Sequence, residues 1–212
     1  MEIDALVFDI LGTLVDEPAG IREAVRQAVP DADTDDLVDQ WLGHVEIEQR
    51  RIVAGERQYA PSDVLDREAA QLVTKTDVVP NLPPWSDTVE GLSRLAERYP
   101  IIGLSNASRT SLLRINAHAG LRWHQALSAE EAQTYKPDPA VYELAVKASG
   151  APPERLLMVA AHAWDLRGAQ SVGLRTAYVA RPVGDPPSAA DRFDFHADGL
   201  VDLAAQLAKS RL

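Results

Sequence analysis

The amino-acid sequence predicts an α/β fold in which a parallel sheet is covered by helices on both faces. Short apolar runs recur along the chain without alternating polarity, as expected of strands that are buried on both faces. Stretches with helical spacing of apolar residues separate these runs. This alternation is typical of a doubly wound sheet, and 212 residues with 46% hydrophobic content are enough for one sizeable core.

Each predicted element follows from a local pattern. The apolar runs predict strands at Ala5–Phe8, Ile101–Leu104, Leu156–Ala160 and Thr176–Val179. Helical spacing predicts one helix with Val89, Leu92, Leu95 and Ala96 and another with Val141, Leu144, Ala145 and Ala148. Asp138 and Pro139 are expected to begin the second helix, and Gly150 to end it. A surface loop is predicted at 180–191 and a final helix from Leu200 onward.

Residues 17–80 interrupt this alternation, because they contain no convincing strand. Helical spacing joins Leu37, Trp41, Val45 and Ile52. Ser62 is the expected cap of a further helix that carries Leu65, Ala69 and Leu72. We therefore predict a core domain of residues 1–14 and 85–212, with a helical insertion at 15–84 after the first strand.

Composition narrows the function classes. The chain has 21 Lys plus Arg against 32 Asp plus Glu, a formal net charge of −11, which disfavours nucleic acids and anionic membranes as partners. There is no cysteine, so disulfides, thiolate zinc sites and cysteine nucleophiles are excluded. The N-terminus lacks the pattern of a signal peptide, and no apolar stretch has the length of a membrane span, so we expect a soluble, cytoplasmic protein.

Polar side chains follow several of the predicted strands. Asp9 ends the first strand, Ser105 and Asn106 follow the second, and His162 and Asp165 follow a later one. Lys136 lies between Asn106 and His162 in sequence, just before the helix that is expected to begin at Asp138 and Pro139. Ligands of open α/β sheets bind at the carboxyl ends of the strands, so this set predicts a site for covalent catalysis by a carboxylate.

Four segments in order resemble the haloacid dehalogenase (HAD) superfamily: "FDILGTLVD", "LSNAS", "YKPDPAVYELA" and "VAAHAWDLRGA". The resemblance covers nearly the whole chain, and the type II L-2-haloacid dehalogenases are the most similar branch. It implies a Rossmann-like core with a helical cap inserted after the first strand.

The resemblance also implies roles for individual residues. Asp9 is the expected nucleophile, and Thr13 is expected to orient its carboxylate. Lys136 is expected to neutralise Asp9 and the substrate carboxylate and to keep Asp9 ionised. Asp165 is expected to orient or activate the water that cleaves the ester.

Other residues carry two interpretations. Ser105 is expected to bind the substrate carboxylate, with Asn106 supporting the loop or forming a simple turn. Tyr142 is either a residue near the substrate or a half-buried helix residue. His162 is either a general base or a loop hydrogen bond.

Two positions, 11 and 42, bear on the choice of substrate. Phosphatases of the superfamily have an Asp at position 11, where Leu11 has no proton to give, so Leu11 favours attack on a carbon–halogen bond. Dehalogenases have a halide-binding Arg directly after Trp41, where this chain has Leu42. Leu11 and Leu42 are expected to line the substrate pocket, and Arg50 or Arg51 are alternative halide ligands.

The predicted function is hydrolysis of a small 2-haloalkanoic acid to a 2-hydroxy acid through an aspartyl ester. The alternatives are a magnesium-dependent phosphatase or phosphonatase, with the metal held by Asp9 and Asp165, and an inactive ligand-binding homologue. We expect no cofactor under the first interpretation. The expected partner is a small anionic substrate, and a homodimer is left open.

Overall fold

The structure, a computed structural model, describes residues 2–209. Its strands are β1 (Ala5–Phe8), β2 (Ile101–Ser105), β3 (Gln125–Ser128), β4 (Leu156–Ala160), β5 (Arg175–Val179) and β6 (Phe195–Ala197). They form one parallel sheet in the order β3-β2-β1-β4-β5-β6. This order is that of a doubly wound fold, and all four predicted strands are present.

Eight helices connect and cover these strands within residues 2–209. They are α1 (Glu17–Ala28), α2 (Thr34–Val53), α3 (Ser62–Thr74), α4 (Thr88–Ala96), α5 (Arg109–His118), α6 (Pro139–Ser149), α7 (Ala163–Ser171) and α8 (Leu200–Lys209). Short 3₁₀ turns lie at Ala129–Ala132 and Pro153–Arg155. In the described part of the chain, every helix is too short or too polar to cross a membrane.

The sheet is buried on both faces, which explains the continuous apolar runs. Leu6 and Phe8 of β1 pack into a cluster with residues of α4, α5 and α8, whereas Ala5 and Val7 pack into a second cluster with α6 and α7. Successive side chains of a strand point to opposite faces, so a strand covered by helices on both sides must be apolar throughout. The predicted α/β fold class is confirmed.

Two strands were absent from the prediction. In β3 the first two residues are exposed, and β6 has only three residues, of which one is buried. Both lie at the edges of the sheet, where fewer neighbours bury the side chains. Neither segment therefore carries the continuous apolar run that identified the four inner strands.

Helix boundaries are predicted better than helix faces. The Asp138 side chain accepts a hydrogen bond from the Ala140 amide at 2.9 Å, as expected of the residue that caps α6. Ser62, in contrast, is the first residue of α3, and Pro61 occupies the capping position. Val89 and Leu72 were grouped by helical spacing with apolar residues of their helices. They are 50% and 49% exposed, because α4 and α3 turn neighbouring residues towards the core.

The helices α1, α2 and α3 follow β1 in sequence and add no strand to the sheet. They enclose a third apolar cluster whose buried members are Ile21, Val25, Val38, Trp41, Ala69, Ala70 and Val73. Isolated bridges pair Val15 with Leu11 and with Pro84. These bridges lie where the chain leaves the sheet region for the three helices and where it returns. The division into a core of 1–14 and 85–212 and a cap of 15–84 stays a prediction.

The predicted surface loop at 180–191 begins inside the molecule. The Arg181 side chain is only 6% exposed, and its Nε donates to the carbonyl of Thr13 at 2.8 Å. Its Nη1 donates to Asp87 at 2.7 Å. The segment has no helix or strand and its residues are half-buried or exposed, as expected of a surface loop, but the Arg181 side chain is buried and braces the turn that follows β1.

Candidate active site

Asp9 lies directly after β1, near the middle of the sheet. Its amide donates to the carbonyl of Val159 on the neighbouring β4 at 3.0 Å, which continues the sheet pairing by one residue. The side chain is 9% exposed and lines a cavity of about 1150 Å³. Asp9 is therefore a nearly buried carboxylate that still reaches the cavity. It lies where the strand order reverses, between β1 and β4, and ligands of doubly wound folds are expected to bind at this position.

Thr13 holds one oxygen of this carboxylate. Its Oγ1 donates to Asp9 Oδ2 at 2.6 Å and accepts from the Ala161 amide at 2.9 Å. The return of the chain over Asp9 requires Gly12, which has a φ of 75°. A Cβ at Gly12 would also lie 2.6 Å from Nε2 of His162, so the turn tolerates no side chain there.

Lys136 holds the other oxygen and links two carboxylates. Its Nζ donates to Asp9 Oδ1 at 3.0 Å and to Asp165 Oδ2 at 2.8 Å. Burial alone would lower the pKa of Lys136, but the carboxylates of Asp165 and Asp9 outweigh it and hold the pKa above its usual value. The ammonium is therefore a permanent positive charge inside an acidic protein.

Asp165 lies behind Lys136, in the first turn of α7, with none of its surface exposed. The Tyr142 hydroxyl donates to Asp165 Oδ1 at 2.7 Å. Burial raises the pKa of Asp165, and the contact with Lys136 works against that shift. Burial also raises the pKa of Tyr142 far above its usual value, so it stays a hydrogen-bond donor.

His162 lies on the cavity wall at the end of β4. Its Nε2 is 3.2 Å from the carbonyl of Leu11, and its ring lies 5.8 Å from that of Trp164. Because a carbonyl can only accept, Nε2 is the donor in this contact, and in the neutral imidazole the lone pair is then on Nδ1. The Leu11 side chain lines the cavity, as predicted for an apolar residue beside Asp9.

Ser105 and Asn106 lie at the end of β2 and differ in their access to the cavity. Asn106 lines it, accepts from the Lys136 amide at 2.8 Å and donates to Gln49 at 3.0 Å. Ser105 is fully buried, and its Oγ accepts from the Ala107 amide at 3.1 Å. Neither Ser105, the expected ligand of the substrate carboxylate, nor Tyr142, whose role was left open, lines the cavity, and both hydroxyls bond to protein groups.

Leu42 lines the cavity from α2 and packs on the apolar cluster of α1, α2 and α3. The two arginines considered as its replacements are both paired elsewhere. Arg50 lines the cavity but forms an ion pair with Glu46, and Arg51 pairs with Glu48 at 3.0 Å. Of the two alternative halide ligands, Arg50 therefore lines the cavity and Arg51 does not.

Several charged cavity residues were missed from the sequence, among them Glu17 of α1, Asp66 of α3 and Arg114 of α5. Burial, with the nearby carboxylates of Asp66 and Asp9, raises the pKa of Glu17 to about 8. Burial raises the pKa of Asp66 to about 6, although Trp41 donates to it and Arg114 attracts it. Glu17 resembles an ordinary acidic residue in the first turn of a helix, so its sequence position carried no signal.

Comparisons with known proteins point to one family. A family model described as haloacid dehalogenase-like hydrolase matches residues 3–173. An (S)-2-haloacid dehalogenase of Pseudomonas putida is 30% identical over 200 residues, which cover 86% of each chain. One from Pseudomonas fluorescens is 35% identical over 123 residues, and the match spans about half of that enzyme, 53%. The solved structure of the L-2-haloacid dehalogenase PA0810 has a TM-score of 0.88 and 30% identity, covering 98% of this chain and 99% of that one.

Proposed function

This chain belongs to the haloacid dehalogenase-like hydrolases, and we propose that it hydrolyses a small 2-haloalkanoic acid to the 2-hydroxy acid. The observation that carries the proposal is the setting of Asp9. Its carboxylate reaches the cavity, is held by Thr13 and Lys136, and has the apolar Leu11 beside it. Relatives named (S)-2-haloacid dehalogenase support the same reaction class.

The first step forms an ester on Asp9. One Asp9 oxygen attacks C2 of the substrate, the new C–O bond forms, and the halide leaves with the electron pair of the broken carbon–halogen bond. The Lys136 ammonium contacts Asp9 at 3.0 Å and attracts the substrate carboxylate. A halide leaves as a stable anion, so Leu11 does not need to supply a proton.

The second step returns the free enzyme. Water attacks the carboxyl carbon of Asp9, the 2-hydroxy acid leaves through its old ester oxygen, and the oxygen of water remains in Asp9. We propose His162 as acceptor of the water proton, because it lines the cavity and its Nδ1 keeps a lone pair. Asp165 then acts as a positioning residue through Lys136, since it is fully buried.

We propose that this reaction needs no metal ion. The magnesium alternative would use Asp9, Asp165 and the carbonyl at position 11. The carbonyl of Leu11 already accepts from His162, and both carboxylates contact the Lys136 ammonium. Halide release from 2-chloropropionate should therefore be equal with magnesium and with a chelator. Phosphate release from a phosphomonoester that depends on magnesium would favour the alternative.

A single turnover in heavy-oxygen water tests the covalent route. With enzyme in excess over 2-chloropropionate, the solvent label should appear in the peptide that contains Asp9, and the first product should be unlabelled. The reason is that the product takes its oxygen from the old carboxylate of Asp9. Label in the product of the first turnover would exclude the ester.

A further inference from the structure

The chain leaves β5 through a short loop that contacts two sides of the reaction centre. We call residues 181–185 the β5 loop. Its first residue, Arg181, is buried beside Thr13, and its last three residues line the cavity. The proposed reaction steps use no side chain of this loop, although it contacts the turn after the nucleophile and the segment that carries His162.

Arg181 holds the carbonyl of Thr13, the residue whose hydroxyl binds Asp9. Arg181 Nε donates to that carbonyl at 2.8 Å, and Thr13 Oγ1 donates to Asp9 Oδ2 at 2.6 Å. The guanidinium is itself fixed, because Asp87 accepts from its Nη1 at 2.7 Å and the Trp85 ring lies 5.8 Å away. A rotation of the backbone at Thr13 would turn the hydroxyl that binds Asp9, and Arg181 opposes this rotation.

The carbonyls on either side of Thr13 are held in the same way. The Gly12 carbonyl accepts from Trp85 Nε1 at 3.0 Å, and the Leu14 carbonyl accepts from Thr88 Oγ1 at 2.8 Å. Three consecutive carbonyls therefore accept from side chains that are distant in sequence, and the β5 loop supplies the donor to the middle one. The orientation of Thr13 thus depends on these donors as well as on the turn itself.

At the other end of the loop, Asp185 holds the backbone on both sides of His162. Its amide donates to the Ala161 carbonyl at 3.2 Å, and its carbonyl accepts from the Ala163 amide at 2.8 Å. Its Oδ2 accepts from the Trp164 amide at 3.0 Å. His162 occupies the capping position of α7 without a capping hydrogen bond of its own, and Asp185 satisfies an amide of the first turn instead. The imidazole is therefore free to line the cavity.

We propose that the β5 loop positions one residue for each step of the reaction. Arg181 aligns Asp9 through Thr13 and so promotes formation of the ester. Asp185 aligns His162 and so promotes hydrolysis of the ester. Each acts through a neighbour, so both are positioning residues. The inference rests on the proposed function and assigns the two steps to opposite ends of one loop.

The two steps are measured separately with 2-chloropropionate. The rate constant of chloride release in a single turnover, with enzyme in saturating excess, reports formation of the ester. The fraction of enzyme that carries the ester, measured by protein mass after quenching steady-state turnover, reports the balance between its formation and its hydrolysis. Arg181→Met should lower the chloride rate constant by about tenfold and lower the ester fraction, since misplacing a reacting group by about 1 Å costs up to roughly 100-fold.

Asp185→Ala should have the opposite effect on the ester. The chloride rate constant should keep its wild-type value, whereas hydrolysis that is about tenfold slower should raise the ester fraction and lower kcat. A purely structural role does not predict this opposite pair, because partial unfolding removes active enzyme without changing either rate constant. Arg155→Met is the matched control, since Arg155 pairs with Asp4 at the opposite end of β4 from His162. It should keep both wild-type values.

Arg181→Lys keeps the test valid if Arg181→Met does not fold. Lysine retains a positive charge beside Asp87 but loses the planar Nε donor to the Thr13 carbonyl, so chloride release should still be slower. An unchanged chloride rate constant in the folded Arg181 variants, or an unchanged ester fraction in Asp185→Ala, would overturn the inference alone. Wild-type enzyme without chloride release would overturn the proposed function, and the inference with it.

Discussion

At the scale of single residues, the reaction centre is organised around one buried ammonium. Lys136 contacts Asp9 and Asp165, so two carboxylates share one positive charge. A substrate carboxylate adds a further negative charge to this group. Any further ionised carboxylate nearby must therefore oppose binding of the anionic substrate. The protonation state of Glu17 should then affect how well the substrate binds.

We predict that Glu17 governs the alkaline limb of the pH profile. Below its pKa of about 8 the carboxyl is neutral, and as pH rises through that value it becomes a negative charge in the cavity. The kcat/KM for an anionic halo acid should then fall by about tenfold, since one nearby charge in a partly buried site costs on the order of 1–2 kcal/mol. In Glu17→Gln, kcat/KM should not change with pH over the same range.

Glu46→Gln is the matched control for this profile. Glu46 also lines the cavity, but it is exposed and paired with Arg50. It should keep the wild-type decrease above pH 8. An unchanged decrease in Glu17→Gln would assign the titration to another group.

At the scale of elements, α7 positions Asp165 and leaves space for the Tyr142 hydroxyl that donates a hydrogen bond to it. Asp165 occupies the first turn, and Gly168 one turn later faces the Tyr142 hydroxyl. A Cβ at Gly168 would lie 2.3 Å from that hydroxyl. The helices α6 and α7 can therefore approach closely enough for Tyr142 to reach Asp165 only with glycine at this position.

Gly168→Ala should lower both stability and kcat. The new methyl group collides with a buried hydroxyl that is fixed by Asp165, and such overpacking costs about 1–3 kcal/mol. Gly43→Ala is the control, because Gly43 lies within α2 with nothing within 4 Å of the added Cβ. It should raise stability by up to ~1 kcal/mol and leave the reaction centre unchanged. Thermal unfolding and halide release measure both effects, and an equally stabilised Gly168→Ala would contradict this role.

At the scale of the whole molecule, the helices α1, α2 and α3 have an apolar cluster of their own. Trp41 is the largest fully buried side chain of this cluster. Leu6, in contrast, belongs to the cluster that the sheet forms with α4, α5 and α8. The separation is incomplete, because Ile52 and Leu65 pack into the second sheet cluster. The predicted cap thus has an apolar cluster of its own, and Ile52 and Leu65 also connect it to the sheet.

Trp41→Ala should loosen the cap and spare the sheet. Loss of a buried Trp costs about 3–5 kcal/mol, and hydrogen exchange should become faster mainly within residues 17–74. Leu6→Ala should instead accelerate exchange throughout the chain. Equal acceleration of β2 and β4 in Trp41→Ala would show that residues 15–84 do not form a separate unit.

The sequence by itself determined the inner strands and the residues at their ends. The runs of β1 and β4 are apolar throughout because both faces of each strand are covered, and this condition is visible in consecutive residues. Asp9 and Lys136 were predicted from their order along the chain, and the structure brings them to 3.0 Å from each other. The edge strands β3 and β6 were missed because they lack the same burial.

Only the tertiary structure decided which side chains reach the cavity. Ser105 was expected to bind the substrate carboxylate, and Tyr142 was left open between a residue near the substrate and a half-buried helix residue. Both are fully buried, and their hydroxyls bond to protein groups behind the cavity wall. Glu17, Asp66 and Arg114 come from three helices and line one cavity only when those helices pack. A local pattern reports the burial of a residue on its own helix or strand, whereas the neighbours across a cavity depend on segments far apart in sequence.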